Sequence, residues 1–148
     1  MPEVDKSEIM RRVLQTLIDM SGRKTTKGLA VIKMSTLITK LQDKYDFLKN
    51  VEIKDTRFVE FEDPVSVMSG INKAKSDDVG RAIHDIIKDM NDSLGDDAGH
   101  FFIKELRRNI GDDYSTVMED MGVDLGLMQL EFEVNQMTKK LEKTWFSE

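Results

Sequence analysis

The chain has 148 residues, 39% of them hydrophobic and 34% charged, with a formal net charge of -6 at pH 7. That length suits one compact domain with a real core and no need of disulfides. The lack of cysteine excludes thiol nucleophiles, disulfides, thiolate zinc sites and iron–sulfur clusters together.

The N-terminal stretch MPEVDKSEIMRR is charged and has no apolar run of the secretory kind. No segment approaches the roughly 18 uninterrupted apolar residues of a membrane helix. A cytoplasmic protein that does not enter membranes is therefore expected. A first helix is predicted from about Lys6 to Met20, burying Ile9, Val13, Leu17 and Leu14, with Ser21-Gly22 breaking it.

A long second helix is expected from about Thr25 to Lys49. Val31, Met34, Ile38, Leu41, Tyr45 and Leu48 recur at alternating steps of three and four, a seam of about two and a half heptads. The segment VEIKDTRFVEF, residues 51–61, is instead rich in β-branched and aromatic residues. It predicts a small β-hairpin turning near Lys54-Asp55-Thr56, with Val51 and Ile53 on one strand and Val59 and Phe61 on the other. A lone hairpin is marginal in water, so it must pack on helices or pair with another chain.

Asp63-Pro64 reads as the start of a short helix ending at Gly70. Ser76 then caps a helix whose first turn carries Asp77 and Asp78, favourable at the positive end of its dipole. Val79, Ile83, Ile86, Ile87, Met90 and Leu94 form its apolar stripe, opposite Asp78, Asp85, Asp89 and Asp92. Three times a glycine is followed within two residues by an aspartate: Gly95 by Asp96, Gly111 by Asp112, and Gly122 by Asp124. Glycine tolerates the left-handed end of one helix, and aspartate accepts from the free N–H groups of the next. The inner faces are expected to be Phe102, Ile103, Leu106 and Ile110, then Tyr114, Val117, Met118 and Met121. The last helix carries Leu127, Leu130, Val134, Met137 and Leu141, again at steps of three and four, with Trp145 slightly off the repeat. Methionine fills irregular core gaps but also coats adaptable binding grooves.

The fold class expected is mainly α: a single-domain bundle of about six helices spanning 1–148, with one small hairpin near 51–61. The long second helix and the last helix are expected to form its central pair. Residues 1–60 hold 12 basic and 9 acidic residues, net +3; residues 61–148 hold 10 and 19, net -9. The acidic half repels nucleic acid, so only the N-terminal half is a candidate for anion contact.

SGRKTTKG, at Ser21–Gly28, lacks the earlier glycine and preceding strand of a phosphate loop. Arg23, Lys24 and Lys27 nevertheless sit near an expected helix N-terminus and, with Arg11 and Arg12, suit an anion. Lys33, Lys40 and Lys44 share one face of the expected second helix, which permits a winged-helix sketch of DNA binding. Yet that helix is long for a recognition helix, and Asp43 and Asp46 interrupt it.

His84 lies in a helix, as in phosphotransfer bundles, but adjacent Asp85 disfavours an incoming phosphoryl group. His100, beside Phe101 and Phe102, reads as partly buried. The two histidines form no metal-ligand pair, and neither has the Glu-x-x-His spacing of a bundle di-metal site. No serine lies in a Gly-x-Ser-x-Gly elbow. No metal or cofactor is therefore expected, and no catalytic residue is assigned. The leading expectation is a non-enzymatic interaction or regulatory module acting as a homodimer. A DNA-binding regulator is the alternative, and an enzyme built from distant carboxylates and histidines the second.

Overall fold

The structure, a computed structural model, describes residues 5–24, 26–54, 65–94 and 102–146. Six α-helices and one two-stranded antiparallel hairpin make a mainly α domain, in the order α1 (Lys6–Lys24), α2 (Lys27–Leu41), β1 (Val51–Ile53), β2 (Val65–Val67), α3 (Ser76–Leu94), α4 (Phe102–Ile110), α5 (Asp112–Asp120) and α6 (Leu125–Phe146). Short 3-10 turns at Asp46–Asn50 and Ser69–Lys73 flank the hairpin.

Helix α1 is the hub. It buries Ile9, Met10, Val13, Leu14, Leu17, Ile18 and Met20, together with Thr16 and Ser21. At about 100° per residue these positions span more than half the helix circumference. α2, α3, α4 and β2 all pack on it. The expected break at Ser21-Gly22 does not occur, and α1 continues to Lys24. A glycine in a helix costs about 1 kcal/mol, which burial of neighbouring Met20 and the rest of this arc outweighs.

The second helix is shorter than expected and stops at Leu41. The N–H groups of Lys44 and Tyr45 both donate to the Leu41 carbonyl, and Tyr45 is extended. Tyr45 and Leu48 are nevertheless buried, as Val31, Met34, Ile38 and Leu41 are. The heptad rule thus identified the right inner residues, but a turn rather than helix delivers the last two.

The hairpin also differs from its expected form. Val51, Glu52 and Ile53 pair with Val67, Ser66 and Val65 respectively. The helix expected from Asp63-Pro64 to Gly70 is therefore strand at 65–67 and a 3-10 turn around Gly70. Val65 is buried, Ser66 exposed and Val67 half-buried, which fits a strand's period of two. Val59, Phe61 and the expected turn at Asp55-Thr56 lie outside the described residues, as does Asp63-Pro64. The hairpin packs on α1, and Asn72 just beyond it ties down the start of α1. Its Oδ1 accepts from the Ser7 N–H at 3.0 Å, while its carbonyl accepts from Lys6 Nζ at 3.1 Å.

The joints of the second half fall where the Gly-Asp pairs place them, although α5 opens on Gly111 with no side-chain cap, so the expected Asp112 cap is not made. Gly111 and Gly122, both at φ +93, separate α4, α5 and α6. Asp124 caps α6, its Oδ1 accepting from the Leu127 N–H at 3.1 Å. Gly95, Asp96, Asp97, His100 and Phe101 lie outside the described residues. Gly80 marks a close crossing. A Cβ there would collide with the Met121 carbonyl oxygen, and the carbonyl carbon is only 2.9 Å away.

The expected central pair of α2 and α6 is not formed. α2 lies on α1, and α6 lies on α4. The centre is held instead by α1, whose buried arc meets α2, α3, α4 and the hairpin together.

Two substitutions test this packing. Gly80→Ala should destabilise the fold by about 1–3 kcal/mol, because backbone rather than a flexible side chain must move. Leu17→Ala, at the middle of α1, should cost about 2–5 kcal/mol. Urea unfolding followed by circular dichroism reads both; unchanged midpoints would contradict the crossing and the hub.

Candidate functional site

Helix α6 is built differently from the other five. Leu125, Met128 and Gln129 are buried, and Phe132 packs partly against the core. The heptad stripe expected to be an inner face points the other way. Leu127, Leu130, Val134 and Met137 are 54%, 58%, 59% and 64% exposed. The stripe turns outward because the residues at 125, 128, 129 and 132 form a second row roughly opposite it, and that row meets α4 and the core. Met137 is thus corrected from core filling to surface. Beyond Glu133, the described side chains at 134, 135, 137 and 138 are all exposed. The side chains of Leu141 and Trp145 lie outside the described set.

This is the largest run of exposed apolar residues on one described element. Among the described residues, Leu29 and Ile32 on α2 and Met68 are the other large exposed hydrophobics. Beside the stripe, a groove of about 200 Å³ runs between α4 and α6, lined by Ile103, Leu125, Leu130, Lys104, Arg107 and Glu133.

A second feature is a charged cleft of about 400 Å³ where α3 faces the turn after α2 and the end of α5. Lys44, Tyr45, Arg81, His84, Asp77 and Asp85 line it. Asp85 Oδ2 accepts from the Tyr45 hydroxyl at 2.7 Å and from Lys44 Nζ at 3.0 Å. His84 Nδ1 stands 3.6 Å from Asp85 Oδ1. Partial burial works against the Asp85 carboxylate, but the bonds from Tyr45 and Lys44 outweigh it and hold its pKa below the ordinary 3.8. Burial, then the bond to Asp85, pushes the Tyr45 phenol up, so it remains a donor. The Asp85 bond also raises Lys44. The expectation that Asp85 belongs to a solvated outer face is thereby corrected. Its Oδ2 is committed to fastening the Leu41–Tyr45 turn onto α3.

The candidate anion contacts do not form one surface. Arg11, Arg12 and Arg23 do share a groove of about 350 Å³ with Gln15, Asp19 and Asn109. Arg11 there is held by Glu8 at 2.6 Å, which in turn draws the Glu8 carboxyl below its usual pKa. Arg23 pairs with Glu105 at 3.2 Å. Arg12 donates to the Asn109 carbonyl at 3.3 Å and lies over the Tyr114 ring, 5.6 Å from its centre. Arg23 and Lys24 end α1 rather than begin a helix, so the expected N-terminal anion site is made by neither. Lys27 opens α2 behind the Thr26 cap; the side chains of Lys24 and Lys27 are outside the described set. Lys33 is half-buried and Lys40 exposed on α2, whereas Lys44 lies past its end. The three lysines therefore do not share one helix face, because α2 stops before the third.

Among the described residues, no group of three His, Asp or Glu side chains could hold a metal ion, and no helix is long and apolar enough to cross a membrane. Comparison with protein-family models, curated proteins and solved structures gives no match.

The Asp85 cluster predicts a defined acid response. A carboxyl whose folded pKa is depressed contributes stability that is complete above 3.8 and is lost as pH falls through the folded value. Tyr45→Phe should cost about 1 kcal/mol at pH 7, and Asp85→Asn about 1–2 kcal/mol, since a charge-assisted bond is the stronger. The Asp85→Asn penalty should shrink when urea midpoints are compared at pH 3. An equal penalty at both pH values would contradict an ionised Asp85.

Proposed function

We propose that the chain is a non-enzymatic protein-interaction module that acts as a homodimer, with the outward face of α6 as its docking surface. The observation that carries this reading is the exposure of Leu127, Leu130, Val134 and Met137 along one stripe. Contiguous exposed apolar surface is uncommon on monomers and marks interaction sites. Its spacing of three and four is that of a seam which receives another helix.

Energetics support the same reading. Past Glu133 the described side chains of α6 have no cover, and an isolated helix shorter than about 12–15 residues is marginal in water. A second helix across the stripe supplies that cover. The other heptad stripe, on α2 and the turn after it, is buried within the chain and is not available for the purpose.

The chemistry of the charged cleft supports an enzyme less well. Its most buried carboxylate, Asp85, already accepts from Tyr45 and Lys44, so little of it is free to work on a substrate. The reading of the N-terminal half as a DNA contact is weakened by the acidic partners on Arg11 and Arg23.

Equilibrium sedimentation at micromolar concentration tests the proposal. The chain should sediment as a dimer, and the double variant Val134→Glu, Met137→Glu as a monomer. Because both side chains are already exposed, that variant should keep the folded body, its circular dichroism losing only the helix past Glu133 that the second copy covers. A wild-type chain that is strictly monomeric would sink the homodimer.

A further inference from the structure

Resting on this homodimer reading, we infer that the two copies meet through an antiparallel pair of α6 helices centred between residues 135 and 136. Three observations point to this arrangement.

The first is register. Taking Leu127 and Val134 as heptad positions a, Leu130 and Met137 fall at d. In an antiparallel pair, a of one helix faces d of the other. One such alignment sets Val134 opposite Met137 of the second copy, and Leu130 opposite residue 141. The same alignment sets residue 125 opposite residue 146. These are the two ends of α6, so the helices overlap along all 22 residues. The same alignment leaves Leu127 opposite residue 144, a threonine, so full overlap coincides with the two apolar pairings 134–137 and 130–141 rather than with an apolar partner for every stripe residue.

The second is charge. Within α6, residues 125–133 carry Glu131 and Glu133 with no basic residue, whereas residues 134–146 contain three lysines and one glutamate. Antiparallel pairing lays each basic segment along the partner's acidic one, and heptad arithmetic brings residue 140, a lysine, level with Glu133. Parallel pairing instead gathers both acidic segments at one end. Opposite charges at the flanks of a seam set partner orientation, and antiparallel helices also align their dipoles favourably.

The third is the position of the folded body. It attaches through Leu125, Met128, Gln129 and Phe132, on the opposite side of α6 from the stripe and near its start. Antiparallel pairing places the two bodies at opposite ends of the seam, where each leaves the partner's emerging helix free to lie across Leu127 and Leu130.

The chain lacks cysteine, so single cysteines report orientation without background. Glu131 and Thr138 are exposed and flank the stripe, so cysteines there spare the apolar contacts. An equimolar mixture of Glu131→Cys and Thr138→Cys chains, treated with a short bismaleimide, should give mainly the mixed cross-linked dimer. Leu127→Cys alone should not cross-link to itself, because the two sites lie about 25 Å apart at 1.5 Å per residue. Efficient self-cross-linking of Leu127→Cys would overturn the antiparallel assignment while leaving the dimer standing. A sedimenting dimer that gives neither product would overturn this register. A monomer in sedimentation would overturn the homodimer reading itself, so the failures are separable.

Discussion

Burial of α1 along more than half its circumference is the constraint around which the rest of the domain is arranged. Its residues Ile9 to Ser21 take up α2 on one side, the hairpin on another, and α3 and α4 on the remainder. A helix used this way leaves little apolar surface of its own for anything else. It also fixes where the neighbours end. α2 must stop at Leu41 so that Tyr45 can reach Asp85 on α3, and the hairpin must lie close enough for Asn72 to secure the start of α1.

The consequence for α6 is geometric. With the centre of the bundle occupied by α1, the last helix meets the core only along its first two turns, through Leu125, Met128 and Phe132, with α4 as its main support. It carries two apolar rows but has room to bury only one. The row with the more regular heptad spacing is the one left outside. A stripe selected merely for core packing need not follow a 3.5-residue repeat, whereas a seam between helices must. The spacing of the uncovered row is thus the physical link between the fold and the proposed homodimer.

Much of the fold was legible in the sequence because its signals were local. The glycines at 111 and 122 do mark the joints between α4, α5 and α6, since a positive φ acts locally, and Asp124 adds the expected aspartate cap at the second joint. Val79, Ile83, Ile86, Ile87 and Met90 of α3 and the apolar stripe of α4 are buried as their period requires. Misplaced features were those decided at long range. Ser21-Gly22 looked like a stop, but tertiary burial carried α1 through it. Val65–Val67 looked helical after Asp63-Pro64, yet pairing with Val51–Ile53 made it strand. The exposed α6 stripe was visible as a heptad, but periodicity alone does not say whether such a seam faces its own chain or another. The Asp85 cluster gave no local signal at all, since its partners are 40 and 41 residues away.

Amide hydrogen exchange across α6, measured over a range of protein concentrations, tests the central claim most directly. If a second copy covers the outward face, protection of residues 134–146 should rise with concentration while that of α1 stays constant at its globally limited value. Exchange of residues 134–146 that is rapid and independent of concentration would contradict the account.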